Sequence, residues 1–575
     1  MRYGGLNFSG PLVCRSGLAA TLVVSGLAGG PAARAADDDA HLWPGNLLVT
    51  RVVYDNNPKT IVAGVTMLPP DCVGAACVTA TDGGAYPNVW NNALIDGSFG
   101  ITSKIVLDQL SPSGALVSSL EVPNSPQYGV GPTTDQMVGS FSSKSEVALN
   151  LSTDRQVVTF MGYLAPINAI DVSNSNTPAV IDPTNPVSEA NFRVVAELDA
   201  YGEFHFTKTS AYSGNNGRAA ALNNQNGAKL LYTAGNAGNG GNPQPDGVIT
   251  GAGLQVLTAE KNPLAAQSPS LPTPVGSFSI TQLGLKADKV GKDTNFRGLT
   301  IFNNAIYATK GSGSNGINTI YFIDTTGFDA NGRPLACPNG VGVPGSSANL
   351  PTAPIFYNAA NLQTLGVFPY NMCILKGFPT ETKSMTSFPF GVWFADAKTL
   401  YVADEGDGTN SFDPVTGTYK AAAAQTTAGL QKWVFDDDLG SWKQVYVLQA
   451  GLNLGVPYTV RGYPTGQNPR TGLPWSPATD GLRNLTGRVN RDGTTTIWAV
   501  TSTVSGNGDQ GADPNKLVMI TDNLAATSLP AGESFSTVET ARFAEVLGGV
   551  SFTPGTGARC DERRGRDDDC RDDGR

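Results

Sequence analysis

One pattern of apolar and polar positions recurs along the chain: two short apolar runs joined by a tight turn. It is clearest between Phe388 and Gly408, where the two runs meet at Asp396-Ala397-Lys398. Such a pair of runs predicts a β-hairpin. The second run, 399–403, is rich in β-branched and aromatic residues and has few polar ones. Both of its faces should therefore be covered, as in the inner strands of a closed all-β protein.

Copies of this pattern predict a repeat fold. The five copies run over 145–163, 218–236, 297–311, 388–408 and 483–501. They lie farther apart than the roughly 40 to 50 residues of a compact propeller blade, so long loops must separate the strands.

The two chain ends supply the remaining blade in this interpretation. Before the first copy the sequence predicts three strands, at 46–54, 104–110 and 116–122, which is one fewer than a blade needs. The last apolar run, 545–552, has no strand after it. We therefore expect this run to pair with the first strand and to complete an all-β, six-bladed β-propeller closed by N- and C-terminal strands. A seven-bladed ring is the alternative.

The N-terminus has the composition of a secretory signal. Arg2 and Arg15 precede or flank an apolar run, and Ala33-Arg34-Ala35 follows it. We expect cleavage after Ala35 and a secreted or periplasmic protein. The predicted organisation is a signal peptide (1–35), a lead segment (36–45), the propeller (46–554) and a disordered charged tail (555–575).

Composition and charge narrow the class of protein and its partners. The chain has 68 Gly, 38 Pro and only 15% charged residues, which favours many short strands over helices. Its net charge of −10 disfavours nucleic acid as a partner. After the signal segment, no stretch reaches the roughly 18 apolar residues that span a membrane. We therefore predict neither a nucleic-acid partner nor a membrane span.

Six cysteines remain in the predicted mature chain, and they fall in neighbouring pairs. Spacing favours three local disulfides: Cys72 with Cys77, Cys337 with Cys373, and Cys560 with Cys570. The second would bound an insertion, 337–373, and all three suit an oxidising compartment. The sequence alone permits other connectivities. A metal site at these cysteines is a weak alternative because only two histidines are present.

Several motifs resemble those of a family of uncharacterised secreted bacterial β-propeller repeat proteins. They are Ser145-Glu-Val-Ala-Leu149, Leu400-Tyr-Val-Ala-Asp-Glu-Gly406 with Gly429-Leu-Gln-Lys-Trp433, and Gly481-Leu-Arg-Asn-Leu-Thr-Gly487 with Gly549-Val-Ser-Phe-Thr-Pro554. The resemblance covers roughly residues 46–554 and implies a propeller and export, but no activity. The insertion 337–373 and the charged tail depart from it.

Two acidic, glycine-containing loops are candidate calcium sites. Asp404, Glu405 and Asp407 supply several oxygen ligands on a turn that Gly406 allows to fold sharply. A second loop carries Asn507, Asp509 and Asp513. Neither follows the EF-hand spacing, and acidic turns also end ordinary strands. Calcium is therefore a possible cofactor of this protein.

Three arginines form the most specific constellation. Arg218, Arg297 and Arg483 each begin a copy of the repeat, and Glu146 stands near the same register of another copy. In a propeller the loops that enter the inner strands surround one mouth of the central channel, so these side chains should converge. Three guanidinium groups there would bind a carboxylate or phosphate. The alternative is that each arginine pairs with an acid of the neighbouring blade.

These observations favour a binding protein over an enzyme. The chain has few histidines, no nucleophile motif and no cofactor fingerprint. We expect an exported β-propeller that binds a small anionic ligand, or an extracellular protein or polysaccharide, through its loop face without chemistry of its own. The alternative is a calcium-dependent hydrolase of an anionic ester, phosphate ester or lactone with its site at the central channel.

Overall fold

A computed structural model describes most of the predicted propeller. Apart from a few isolated positions, the described residues are 41–57, 59–62, 64–68, 78–80, 100–125, 136–241, 254–259, 265–266, 274–276, 295–311, 317–323, 341–344, 350–352, 372–381, 387–507 and 509–557. The predicted signal peptide, most of the charged tail and every cysteine except Cys373 lie outside them. The predicted disulfides therefore stay predictions.

Six small, mainly antiparallel sheets form a ring, which makes the fold a six-bladed β-propeller, as predicted. Blade 1 contains β1 (Leu47–Val53), β2 (Thr102–Leu110) and β3 (Leu116–Glu121). Blade 2 contains β4 (Asn150–Leu151), β5 (Val158–Tyr163), β6 (Arg193–Leu198) and β7 (Phe204–Thr209). Blade 3 contains β8 (Gly217–Asn223), β9 (Leu230–Gly235), β10 (Leu254–Thr258) and β11 (Pro274–Gly276).

The second half of the ring repeats this order. Blade 4 contains β12 (Leu299–Phe302), β13 (Ala305–Lys310), β14 (Thr319–Ile323) and β15 (Met372–Leu375). Blade 5 contains β16 (Pro389–Asp396), β17 (Thr399–Asp404), β18 (Gly429–Asp436) and β19 (Ser441–Leu448). Blade 6 contains β20 (Ala478–Val489), β21 (Thr494–Val504), β22 (Lys516–Asn523) and β23 (Ser536–Thr540). The last strand, β24 (Glu545–Phe552), belongs to blade 1.

Helix contributes little to the described part of the chain. The elements are a single α-helical turn at Lys420–Ala423 and 3-10 turns at Val172–Asn174, Gln225–Gly227 and Gln510–Ala512. No helix described here is long and apolar enough to cross a bilayer.

The hairpin of blade 5 forms where the apolar pattern predicted it. Its turn is held by the Asp396 carboxylate, whose Oδ1 accepts a hydrogen bond from the backbone N–H of Lys398 at 2.8 Å. All six residues of β17 are buried. The near absence of polar residues in this strand therefore reflects cover on both faces.

The ring is closed by pairing of the two chain ends, which confirms the predicted closure. Strand β24 pairs antiparallel with β1, from Leu47 opposite Phe552 to Val53 opposite Glu545. The register of this pairing shifts between Val49 and Arg51. At the shift, the Thr50 side chain forms hydrogen bonds to two other segments. The Thr50 hydroxyl accepts a hydrogen bond from Gly549 N at 2.7 Å and donates one to Val147 O at 2.9 Å. The closing strand is thereby joined to blade 2 as well as to blade 1.

Neighbouring inner strands touch where they begin. A side chain at Gly298 would collide with the carbonyl oxygen of Phe390, and a Cβ at Gly391 would lie 2.5 Å from the carbonyl oxygen of Arg483. Only glycine permits so close an approach of two backbones. Blades 4, 5 and 6 are therefore in backbone contact at this end of the channel.

A buried ion pair joins blades 5 and 6. Lys432 Nζ lies 2.9 Å from Asp522 Oδ2, and both side chains are fully buried. Tyr401 donates to the same carboxylate at 2.5 Å, and Tyr446 donates to its other oxygen at 2.7 Å. Every charge in this group has a partner, which is the condition under which a buried pair is tolerated.

Removal of the closing strand should destroy cooperative folding. A truncation that deletes residues 545–575 leaves blade 1 without its inner strand and exposes the edge of β1. We expect the single sharp unfolding transition of the intact protein, measured by circular dichroism, to be lost. Deletion of residues 558–575 alone is the control and should leave the transition in place. An unchanged transition in the longer truncation would refute the closure.

Loss of Lys432 should be costly because it leaves Asp522 buried without a cation. We expect Lys432→Met to lower the free energy of unfolding by about 3 to 5 kcal/mol in urea denaturation. Lys398→Met is a matched control, because Lys398 pairs with Asp437 on the exposed surface. It should cost no more than about 1 kcal/mol. Equal losses in the two variants would contradict a structural role for the buried pair.

Candidate functional site

The three predicted arginines converge at one end of the channel, here called the upper mouth because the inner strands begin there. Arg218 lies in β8, Arg297 lies two residues before β12, and Arg483 lies in β20. Burial lowers the pKa of Arg218 well below its usual value, and the charge of Arg297 lowers it further. Burial also lowers the pKa of Arg297; the charge of Glu405 raises it, and the charge of Arg483 lowers it. Arg297 therefore interacts with Arg218 of one neighbouring blade and with Arg483, which lies in blade 6.

Glu405 lies between two of these arginines. Its Oε2 is 3.2 Å from Arg483 Nε, and its Oε1 is 3.9 Å from Arg297 Nη2. The Phe390 ring lies beside both cations, 5.8 Å from the Arg297 guanidinium carbon and 6.0 Å from that of Arg483. Glu405 follows directly after β17 of blade 5. One carboxylate is therefore shared by the arginines of blades 4 and 6, and neither arginine is held by it through two hydrogen bonds.

Arg218 is held by neutral groups. It donates from Nε to Asn216 Oδ1 at 2.8 Å and from Nη1 to the Asn295 side chain and to Phe296 O, the last at 3.0 Å. No carboxylate of the described residues lies within ion-pair distance of it. The predicted alternative, an acid partner for each arginine, therefore holds for Arg483 and loosely for Arg297, but not for Arg218.

Arg297 keeps a free donor. Its Nη1 donates to the hydroxyl of Ser145 in the segment before β4. Its Nε is buried and has no hydrogen-bond partner among the described residues. An unsatisfied N–H on a buried guanidinium is unfavourable unless an acceptor reaches it.

Glu146 lies close enough to Arg193 and Arg218 to interact with them electrostatically, but it forms no ion pair with any arginine of the described residues. It accepts hydrogen bonds from the Tyr163 hydroxyl, from Ser140 N at 3.0 Å and from Asn216 Nδ2 at 3.4 Å. Burial raises its pKa. Burial also raises the pKa of Tyr163 well above its usual value, and the negative charge of Glu146 adds to this. The carboxyl therefore binds its proton more tightly than an exposed glutamate.

A fourth arginine, missed by the sequence analysis, completes the group. Arg193 in β6 is fully buried, and its guanidinium carbon lies 5.2 Å from the centroid of the Tyr163 ring. Its guanidinium donates to backbone carbonyl oxygens of Asn191 at 2.7 Å, Ser175 at 2.8 Å and Asn215 at 2.9 Å. Burial lowers its pKa to about 10. Arg193 begins an outer strand and does not lie at the start of a repeat copy, so the repeat pattern did not point to it.

These residues form a buried group with excess positive charge, here called the upper-mouth cluster. Its members are Arg193, Arg218, Arg297, Arg483, Glu146 and Glu405. Four guanidinium groups face two carboxyl groups, and the pKa of one of these carboxyl groups is raised. Buried cations in excess of their partners are costly, and an anion is the usual compensation.

The residues of the first predicted calcium loop face different surroundings. Asp404 is buried and its oxygens accept hydrogen bonds from Phe388 N, Gly406 N, Ser387 Oγ and Gln431 Nε2, at 2.8 to 3.0 Å. Burial raises its pKa to about 6. Asp407 is exposed and accepts from Thr409 N at 2.8 Å. Glu405 faces the arginines, so the loop directs its three carboxylates to three separate places.

The second acidic loop is closely packed. Asp513 accepts from the Tyr463 hydroxyl at 2.6 Å, and burial raises its pKa to about 7. Asp509 caps the 3-10 turn by accepting from Gly511 N at 2.9 Å. Asn507 donates to the Tyr463 hydroxyl at 3.3 Å. Within the described residues, no group of three or more His, Cys, Asp or Glu side chains is placed to hold a metal ion.

The other end of the channel, where the inner strands end, is here called the lower mouth. A cavity of about 1360 Å³ is lined there by residues from the inner hairpins of all six blades. Its inner wall includes Gly298, Gly391 and Asn484, the chain neighbours of Arg297, Phe390 and Arg483. Its lining contains Arg155, Arg488 and Arg491. These arginines carry no distinguishing signal in the sequence, although each lies in or near the turn of an inner hairpin.

The fold and its central channel define the class of protein, a six-bladed β-propeller. No family model and no curated protein matches the chain. Among solved structures it is similar to an apocarotenoid oxygenase from Synechocystis, with 9% identity, a TM-score of 0.30 and coverage of 90% of this chain and 94% of that chain.

Two further structures show the same distant similarity. One is a Lactobacillus plantarum protein, with 10% identity, a TM-score of 0.19 and coverage of 64% and 81% of the two chains. The other is extracellular domains 1–2 of Drosophila semaphorin 1a, with 10% identity, a TM-score of 0.24 and coverage of 74% and 84%. Likeness at this level carries no argument about ligand or activity.

The raised pKa of Glu146 predicts a pH dependence of stability. An exposed glutamate ionises near pH 4.3, roughly its value in the unfolded chain, whereas the folded protein keeps the Glu146 proton to higher pH. The resulting stability is present below the unfolded pKa and is lost as the pH rises through the folded one. Glu146→Gln does not titrate. The unfolding free energy of the wild type minus that of the variant should therefore fall as the pH rises above about 4.

Urea denaturation at several pH values measures this difference. Glu203→Gln, at an exposed carboxylate, is the control for the change of charge. A difference that instead grows with pH would mean that the nearby arginines, and not burial, dominate the ionisation of Glu146.

Proposed function

We propose that this protein is an exported β-propeller that binds a small anionic ligand at the upper mouth of its channel. The observation that carries the proposal is the excess of buried positive charge in the upper-mouth cluster. Carboxylate and phosphate are the groups that guanidinium binds best, through paired and charge-assisted hydrogen bonds. The export part of the proposal rests on the N-terminal segment of the sequence.

Arg297 is the residue best placed to contact the anion. Its Nε has no partner among the described residues, and its contact with Glu405 is long, at 3.9 Å. Arg218 and Arg483 are held on either side by hydrogen bonds to other groups. An oxygen atom that reaches Arg297 would satisfy its free N–H and would offset the repulsion between the three cations.

A calcium-dependent hydrolase is the second candidate. The position of Glu405 between Arg297 and Arg483 favours the hydrolase, because hydrolytic sites commonly combine a carboxylate with cationic side chains. Two facts favour binding instead. The oxygens of Asp404 already accept four hydrogen bonds, and those of Glu405 face two guanidinium groups, which repel a divalent cation.

Calorimetric titration with inorganic phosphate tests the proposed site. We expect Arg297→Ala to raise the dissociation constant at least tenfold, which corresponds to about 1.4 kcal/mol. Added salt should weaken binding further, because the attraction is between charges. Arg461→Ala is the control for the change of charge, since Arg461 is exposed and has no ion pair among the described residues. Equal phosphate binding by wild type and Arg297→Ala would refute the site.

Assays of the same proteins against phosphate esters and lactones, with and without EDTA, separate the two candidates. Under the binding proposal, the protein turns over none of these compounds and phosphate binding is insensitive to EDTA. Hydrolysis that EDTA abolishes and that Glu405→Gln removes would establish the hydrolase instead.

A further inference from the structure

The lower-mouth cavity has a lining of unusual charge for so acidic a protein. Its described lining contains three arginines, Arg155, Arg488 and Arg491, and no aspartate, glutamate, lysine or histidine. The whole chain has a net charge of −10. Charge of one sign in a concave site attracts ligands of the opposite sign. The cavity is therefore a second positive region, separate from the upper-mouth cluster.

These arginines are available to a ligand. Arg488 and Arg491 are exposed, and Arg155 donates its Nε to Thr556 O at 2.8 Å, which leaves its two terminal nitrogens. None of the three has a carboxylate of the described residues within ion-pair distance. Arg488 lies over the Trp498 ring, 5.9 Å from the guanidinium carbon to the ring centroid. Its guanidinium is thereby supported without being neutralised.

The rest of the lining combines aromatic rings with uncharged hydrogen-bonding groups. Phe302 and Phe394 stack at 4.5 Å with their planes nearly parallel. Trp393 lies flat against Gly487, where a Cβ would come within 2.8 to 2.9 Å of three ring atoms. Asn303 and Asn304 are exposed in the turn between β12 and β13. Their side-chain amides have no partner among the described residues.

We propose that the lower-mouth cavity binds an acidic oligosaccharide whose sugar carboxylates are held by Arg155, Arg488 and Arg491. Amide side chains are suited to sugar hydroxyls, and the apolar face of a sugar ring packs on an aromatic side chain. The cavity, at about 1360 Å³, is larger than the roughly 300 to 1,000 Å³ of a typical small-molecule pocket. An oligomer fills it better than a single small anion. This site uses none of the residues of the proposed upper-mouth site and stands independently of it.

Calorimetric titration with tetragalacturonate tests this proposal. The fully methyl-esterified tetramer is a matched ligand without charge, and we expect it to bind at least tenfold more weakly. Arg488→Ala/Arg491→Ala should also weaken binding of the acid form at least tenfold. Arg488→Lys/Arg491→Lys retains the charge and should recover part of that loss. Arg461→Ala/Arg542→Ala, at two exposed arginines elsewhere, makes the same change of net charge and should leave binding unchanged.

Two further titrations test whether this site is separate from the upper mouth and whether it prefers a sugar. Arg297→Ala should bind tetragalacturonate as the wild type does, even though its phosphate binding is reduced. A tetramer of thymidylate, which also offers anionic groups and rings, should bind more weakly than the sugar. Equal binding of the esterified tetramer, or equally tight binding of thymidylate, would overturn the proposal. So would loss of binding of the acid tetramer in Arg297→Ala together with unchanged binding in Arg488→Ala/Arg491→Ala.

Discussion

The pairing of β1 with β24 is the interaction on which the rest of the structure depends. Blade 1 has no inner strand without the C-terminal segment, and an incomplete blade leaves a row of unpaired backbone groups at the edge of the ring. The hydroxyl of Thr50 links the closing strand to blade 2 as well. Contacts between residues about 500 positions apart in the chain therefore decide whether six blades form one closed ring.

Closure of the ring explains why so many charged side chains are buried together. The inner strands begin around one mouth, so the first polar residue of each repeat copy is carried to the same place. Water has little access there, and hydrogen bonds from a few groups must replace it. Carbonyl oxygens serve Arg193, side-chain and backbone oxygens serve Arg218, and a single shared carboxylate serves Arg297 and Arg483. The nitrogens of Arg193 and most of those of Arg218 have acceptors, whereas the buried Nε of Arg297 has none among the described residues. The positive excess of the cluster is the property that a ligand would compensate.

The two ends of the channel differ in the residues that line them. At the upper mouth Gly298 and Gly391 let neighbouring backbones touch, and the space between blades is closed. Toward the lower mouth larger side chains such as Trp393 and Phe302 line the wall, and the channel opens into a cavity. Each mouth carries its own arginines. The two ends of the channel therefore carry two different groups of arginines, one buried and one largely exposed.

The sequence by itself determined the blades and their closure. Short apolar runs around tight turns are set by local physics, and the strand missing at one end matched the strand left over at the other. It also indicated that Arg218, Arg297 and Arg483 would converge, since the start of an inner strand has one position in a propeller. It did not reveal Arg193, whose partners are backbone carbonyl oxygens of loop residues. Nor did it show that the oxygens of Asp404 are already occupied by neighbouring N–H groups, or that a cavity lies between the hairpins. Those features depend on the directions of side chains and on the spacing between blades, and both are decided only when the whole ring is packed.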